Sequence, residues 1–234
     1  MSTPNETIWA RPEPGQRRPR YTREQIAAAA LAIADSEGFD AVSMRRVATE
    51  LGSGTMTLYY YVRTKDDLVA LMDDAVMGSV LLPELPGDWR AALTAIARGT
   101  RAVMVRHPWA VTALRNARQG PNALLHFEQT LAALAGTTLG PTARFELLAI
   151  LDDYVHGHAL RVGEARTAAD TDAARSFARE QLRSGRYPET EKVFGIMEPA
   201  DWDRFASWMG DEERFNRGLA ALLDGLAAAY DLPT

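Results

Sequence analysis

The stretch that decides the fold is GFDAVSMRRVATELGSGTMTLYYYVRTKDDL, Gly38 to Leu68. Gly52-Ser53-Gly54 interrupts it as a tight turn, leaving two short helices at about Ser43–Leu51 and Thr55–Tyr61. Ser43 is a natural N-cap, since its hydroxyl can accept from a free backbone N–H. Val47, Leu51, Leu58 and Val62 give the pair a shared apolar face. Two short helices joined by a glycine-containing turn make a helix-turn-helix, whose second helix can lie in a DNA major groove.

Working outward, Thr22 and Gln25 have the spacing of a capping box, and Ile26, Ala29, Ala30 and Ile33 follow on one helical face. Gly38 ends that helix, because glycine takes the left-handed conformation at little cost. On the other side Thr64-Lys65-Asp66-Asp67 reads as a cap with early acidic residues, opening a helix over about 65–80 that carries Leu68, Leu71, Met72, Ala75 and Val76. Pro83, Pro86 and Gly87 close it. Residues 1–20 hold four prolines and little apolar matter, and read as a flexible basic arm.

Beyond Asp88, a cap candidate, the chain reads as helical almost throughout. Helices are expected to about Arg106, over Trp109–Ala117, Pro121–Ala135, 141–166, 170–184, 199–208 and 212–230, with an irregular stretch around Gly185, Pro188 and Gly195. No strand alternation or repeat is visible. The expected fold is all-α: an arm over 1–20, a three-helix DNA-binding unit over 21–66, and a larger helical bundle over 67–234, joined through the 65–80 helix.

The chain has 234 residues, 47% hydrophobic and 24% charged, and no cysteine. That balance suits a globular protein with a sizeable core, and it excludes disulfides and thiolate chemistry. No apolar run approaches membrane-spanning length and no signal peptide is evident, so a cytoplasmic location is expected. Net charge is −5, but residues 1–66 carry nine Lys/Arg against eight Asp/Glu, while the remainder carries 17 against 23. A slightly basic end on an acidic body is compatible with a local DNA-binding head.

The segment around the turn resembles the DNA-binding domain of the tetracycline-repressor (TetR) family. The residues that carry the likeness are Ser43, Arg45, Ala48, Leu51-Gly52, Thr57-Leu58-Tyr59, the aromatic pair Tyr60-Tyr61, and Lys65, over about residues 22–75. Gly54, Met56, Tyr61 and Val62 depart from frequent family choices. Groove chemistry then assigns roles. Ser43, Arg45, Tyr59, Tyr60 and Lys65 are the phosphate-contact candidates. Thr55, Met56 and Thr57 are the base readers, and Arg46 reaches a base or a phosphate. Arg17, Arg18 and Arg20 of the arm suit an adjacent minor groove. Of the three tyrosines, Tyr61 is expected to pack inward.

One short helix makes few base contacts, so a homodimer on a palindromic operator is expected. Its interface is assigned to helices 141–166 and 212–230. The first aligns Phe145, Leu148, Leu151, Val155 and Ala159. The second carries Phe215, Leu219, Leu222, Leu223, Leu226 and Tyr230, with alanines on its other faces. The resemblance implies dimerisation through two C-terminal helices and a small-molecule pocket in the body. Candidate lining residues are Met104, His107, Trp109, Leu114, Phe127, Tyr154, His158, Trp202 and Trp208, for an apolar or aromatic effector.

An enzyme is the main rival class. No G-x-S-x-G, H-E-x-x-H, dinucleotide fingerprint or P-loop occurs. Asp152 and His156, four apart, could share a metal, but two ligands make a poor site. No cofactor, metal or catalytic residue is expected. A regulator whose body binds a protein partner in place of a small ligand, or one that activates, stays open.

Overall fold

The computed structural model describes residues 7–11, 21–114, 117–167, 172–194 and 199–233, which form twelve α-helices and no strand. The arginines Arg17, Arg18 and Arg20 lie outside the described residues. The head comprises α1 (Arg23–Glu37), α2 (Met44–Glu50), α3 (Thr55–Tyr59) and α4 (Lys65–Gly78). Three of the four start where the sequence offers a side-chain acceptor. Thr22 and Gln25 close a reciprocal capping box, Ser43 accepts from the Arg46 N–H, and Thr64 accepts from the Asp67 N–H. Gly38 and Gly52 take φ of +88° and +62°, values a side chain would strain, and they end α1 and shape the α2–α3 turn.

The head core is made of Ile26, Ala30 and Ile33 from α1, Val47 and Ala48 from α2, Leu58 from α3, and Leu68, Leu71 and Met72 from α4. Burying each large side chain contributes roughly 1.5–3 kcal/mol, so helices too short to persist alone are held by packing. This core does not stop at residue 66. It runs along α4 to Val76 and takes in Ala110 and Leu114 of the body.

The body comprises α5 (Trp89–Arg106), α6 (Ala110–Ala113), α7 (Pro121–Ala133), α8 (Pro141–Thr167), α9 (Asp172–Arg183), α10 (Pro188–Phe194), α11 (Pro199–Gly210) and α12 (Glu212–Ala229). Its core joins Leu93 and Ile96 of α5, Leu147, Leu151 and Val155 of α8, and Phe215, Leu219 and Leu223 of α12.

Several expectations change. The recognition helix ends at Tyr59, because the chain turns there to bring Tyr61 and Val62 into the core. The segment after Gly185 forms a helix, since Pro188 stands at its first position, where the missing N–H costs nothing. The helix expected over Trp109–Ala117 is only Ala110–Ala113. On α8 the inward stripe is Leu147, Leu151, Val155 and Ala159, whereas Phe145 is exposed. Within the supposed arm, Ile8–Ala10 form a short 3-10 turn with Ile8 fully buried. Two apolar residues next to a buried ion pair dock this stretch.

Candidate nucleic-acid interface and ligand cavity

Helix α3 divides its side chains sharply. Leu58 is 1% exposed and anchors the helix, while Met56 is 76% and Tyr60 75% exposed, with Tyr59 also outward. Thr55 and Thr57 are half-buried. Tyr61 turns inward, as expected, and meets Tyr21 edge to face with ring centroids 6.5 Å apart. The Tyr21 hydroxyl donates to the Leu51 carbonyl at 2.7 Å, pinning the chain entering α1 to the end of α2.

Around α3 stand the phosphate-contact candidates. Ser43, Arg45 and Lys65 are exposed, and Lys65 lies over the Phe39 ring at 5.5 Å. Arg46 is otherwise engaged: its guanidinium donates to Glu37 at 2.6 Å and to Glu50 at 2.8 Å. Those contacts raise its pKa further and hold Glu37 below the usual carboxylate range. Arg46 thus bridges the α1–α2 corner in this structure.

Two polar joints tie head to body, through Asp35 and Asp74, and a third contact docks the N-terminal segment on α4. Asp35 of α1 contacts the His107 Nδ1 at 2.7 Å and accepts from the Trp109 Nε1–H at 2.8 Å, while Trp109 stacks on Phe39. Asp74 of α4 accepts from the Asn122 backbone N–H at 2.7 Å and from its side-chain amide at 3.0 Å, at the start of α7. Arg11 pairs with the buried Asp67 at 2.5 Å.

Beside α4 the body encloses a cavity of about 540 Å³. Its apolar wall includes Ile96, Leu114, Phe127, Phe145 and Leu148, and its polar groups are Asp73, Thr100, Gln119, His126, Thr130, Asp152 and His156. Phe127 and Phe145 stack at one side, centroids 5.8 Å apart. His156 Nδ1 lies 3.0 Å from the Asp152 carboxylate, which raises the histidine's pKa, whereas burial lowers that of His126. Burial, with the neighbouring Asp74 charge, pushes Asp73 up to about 6. No group of three or more His, Asp or Glu able to hold a metal ion occurs among the described residues.

Of the nominated pocket residues only Leu114 and Phe127 line this cavity. Met104 packs into the body core, and His107 and Trp109 serve the Asp35 joint. Tyr154 stacks on Phe215 and donates to its carbonyl at 2.9 Å. His158 is buried between Arg101, 3.1 Å from its Nε2, and Arg214, 2.9 Å from its Nδ1. Desolvation and these cations depress its pKa to about 4. Trp208 is exposed and stacks on Phe205, and the side chain of Trp202 lies outside the described residues. The lining residues that were not nominated join Phe127 at helical spacing, although spacing alone does not say which faces meet. Ala123, His126, Phe127 and Thr130 share one face of α7, and Phe145, Leu148, Ala149, Asp152 and His156 share one of α8.

No helix of the described residues is long and apolar enough to cross a membrane. Residues 26–72 match the family model for bacterial regulatory proteins of the tetR family, and residues 82–230 match the tetracyclin repressor-like C-terminal domain. The chain is 38% identical to the HTH-type transcriptional repressor DrrR1 of Streptomyces coeruleorubidus, over 94% of this chain and 83% of that protein. It is 35% identical to an HTH-type transcriptional regulator of Saccharopolyspora erythraea, over 96% and 93%. The crystal structure of the Streptomyces coelicolor TetR family protein ActR in complex with actinorhodin superposes with a TM-score of 0.68 at 28% identity, covering 89% of this chain and 98% of that one. The helix-turn-helix head, the helical body and these likenesses converge: the chain belongs to the TetR family of transcriptional regulators.

Proposed function

We propose that the protein is a homodimeric repressor that binds a palindromic operator through α3 and releases it when a small molecule enters the cavity beside α4. The observation that carries the reading is the surplus on α3: Met56, Tyr59 and Tyr60 face outward although the core needs only Leu58 from this helix. Thr55, Met56 and Thr57 read base edges, and Ser43, Arg45, Tyr59, Tyr60 and Lys65 position the head on phosphates. The DNA-reading unit within the head is residues 21–66, and α4 joins it to the regulatory remainder of 67–234. Repression is favoured by the name of the DrrR1 relative, and effector binding by the complex of ActR with actinorhodin.

Dimerisation is assigned to α8 and α12. Ala221, Gly225 and Ala228 of α12 are exposed at helical spacing, a face on which a second backbone can approach closely. The cavity supports effector control because Asp73 and Met77 bring α4, which begins directly after the recognition unit, into its wall. An effector releases DNA only through its preference for the non-binding arrangement, and moving the balance from 1:99 to 99:1 takes about 5.5 kcal/mol of differential affinity.

The test is to capture genomic fragments with the purified protein, map the protected sequence, and follow binding against salt. Two protected half-sites about 34–36 Å apart and a steep fall in affinity with salt are expected. A single protected half-site, or a flat salt dependence, would contradict the reading.

A further inference from the structure

Among the described residues the cavity wall contains no lysine or arginine. Its charge-bearing side chains are Asp73 of α4, His126 of α7, and Asp152 and His156 of α8. Asp152 is already committed to His156. Asp73 is different: among the described residues its carboxylate has no hydrogen-bond or ion-pair partner, and its nearest charged influence is the repulsive Asp74. A half-buried carboxylate left in that state is costly, and a cation is what relieves it.

Two further groups on the same wall lack partners. Thr100 is 4% exposed, and its hydroxyl is buried with no hydrogen bond among the described residues. The Nδ1 of His126 is likewise buried and unbonded. Facing these polar groups are Phe127, Phe145, Leu148 and Ile96, which suit a flat apolar body. Built sites rarely leave several buried polar atoms unsatisfied unless a ligand completes them.

We infer that the effector is a flat, largely aromatic molecule carrying a protonated amine, held by the Asp73 carboxylate, with a hydroxyl or carbonyl group between Thr100 and His126. This rests on the cavity being the effector site. It also gives the ligand its purchase on the head. Asp73 lies within α4, one residue before the Asp74 that holds α7, so a cation drawn to Asp73 acts on the helix joining the DNA reader to the body. A ligand of the same shape bearing a carboxylate would meet two aspartates and, among the described residues, no lysine or arginine.

Two fluorescent three-ring probes separate the alternatives: 9-aminoacridine, a cation, and anthracene-9-carboxylate, an anion. Anisotropy titrations use the full chain without DNA, beside Asp73→Asn and Ala149→Lys, the latter placing an ammonium at the exposed rim. Thermal melts establish that each variant is folded. The expected result is cation binding at least tenfold tighter than anion binding. Asp73→Asn should weaken the cation at least tenfold and leave the anion unchanged or improved, and Ala149→Lys should weaken the cation again. Equal affinity for both probes, or an Asp73→Asn variant that binds the cation as wild type does, would overturn the charge assignment while leaving the cavity as an effector site. Binding of neither probe would overturn the inference together with the cavity reading.

Discussion

Replacing Asp35 with alanine tests the joint between head and body. One carboxylate oxygen of Asp35 serves both the His107 ring at 2.7 Å and the Trp109 indole N–H at 2.8 Å. Hydrogen bonds to a charged acceptor are worth about 1.5–3 kcal/mol when buried. The Asp35 side chain is 36% exposed, so water screens part of this, leaving about 1 kcal/mol for each bond. Asp35→Ala is therefore expected to cost about 2 kcal/mol, equivalent to a fall of roughly 4–8 °C in Tm for a chain of this size. Trp109→Phe removes one donor while keeping the stack on Phe39, and should cost about 1 kcal/mol. In the double variant that bond is already gone, so the two losses should fall short of additivity by about 1 kcal/mol. Urea unfolding of the four proteins measures the cycle. Additive losses, or an Asp35→Ala variant within about 0.3 kcal/mol of wild type, would show that the joint carries no energy and refute the reasoning.

Other expectations follow from the buried charges and the exposed α12 face. Asp73 is raised to about 6, so it binds its proton more tightly when folded, and its contribution is lost as pH rises from about 4 to 6. Asp73→Asn should therefore be more stable than wild type by about 1–2 kcal/mol at pH 7, after allowance for screening, and equal to it near pH 4. His158 works in the opposite sense. Its depressed value of about 4 means that stability present above about 6.5 is lost as pH falls, so the stability of Asp73→Asn should climb more steeply than that of wild type between pH 4 and 6. Denaturant midpoints across that range read both effects, and parallel curves would contradict them. Arg11→Ala leaves Asp67, 3% exposed, without its cation and should cost about 3 kcal/mol in urea unfolding; no change would mean that residues 7–11 are not docked in solution. A Cβ at Gly225 meets no atom within 4 Å among the described residues, so Gly225→Glu should fold normally yet reduce the mass seen by light scattering from two chains to one; an intact dimer would remove α12 from the interface.

Local chemistry made much of the head legible in the sequence. Thr22, Ser43 and Thr64 cap because a hydroxyl beside free N–H groups has one favourable use, and Gly38 and Gly52 take backbone angles that other residues resist. What was missed is tertiary. Pro188 punctuates a sequence equally well as a stop or as a first helical residue, and only the surrounding packing chooses. Ile8 and Trp9 gave no periodic signal, being too few, and their docking depends on Asp67 some sixty positions away. His107 and Trp109 read as pocket-lining residues, but the partner awaiting them is Asp35 of the head. The cavity is made where faces of α4, α5, α7 and α8 converge, and no spacing within one helix tells which faces will meet. Asp73 in particular looks like one more surface carboxylate until α7 and α8 are in place.

The most direct test of the account is operator binding by the Thr57→Ala, Tyr59→Phe double variant on the mapped duplex, followed by anisotropy beside a thermal melt. Losing one base-edge group and one phosphate-facing hydroxyl should weaken binding at least tenfold, since each good contact of this kind is worth about 1–3 kcal/mol, with the melt unchanged. Wild-type affinity in a folded variant would mean that α3 does not read the DNA.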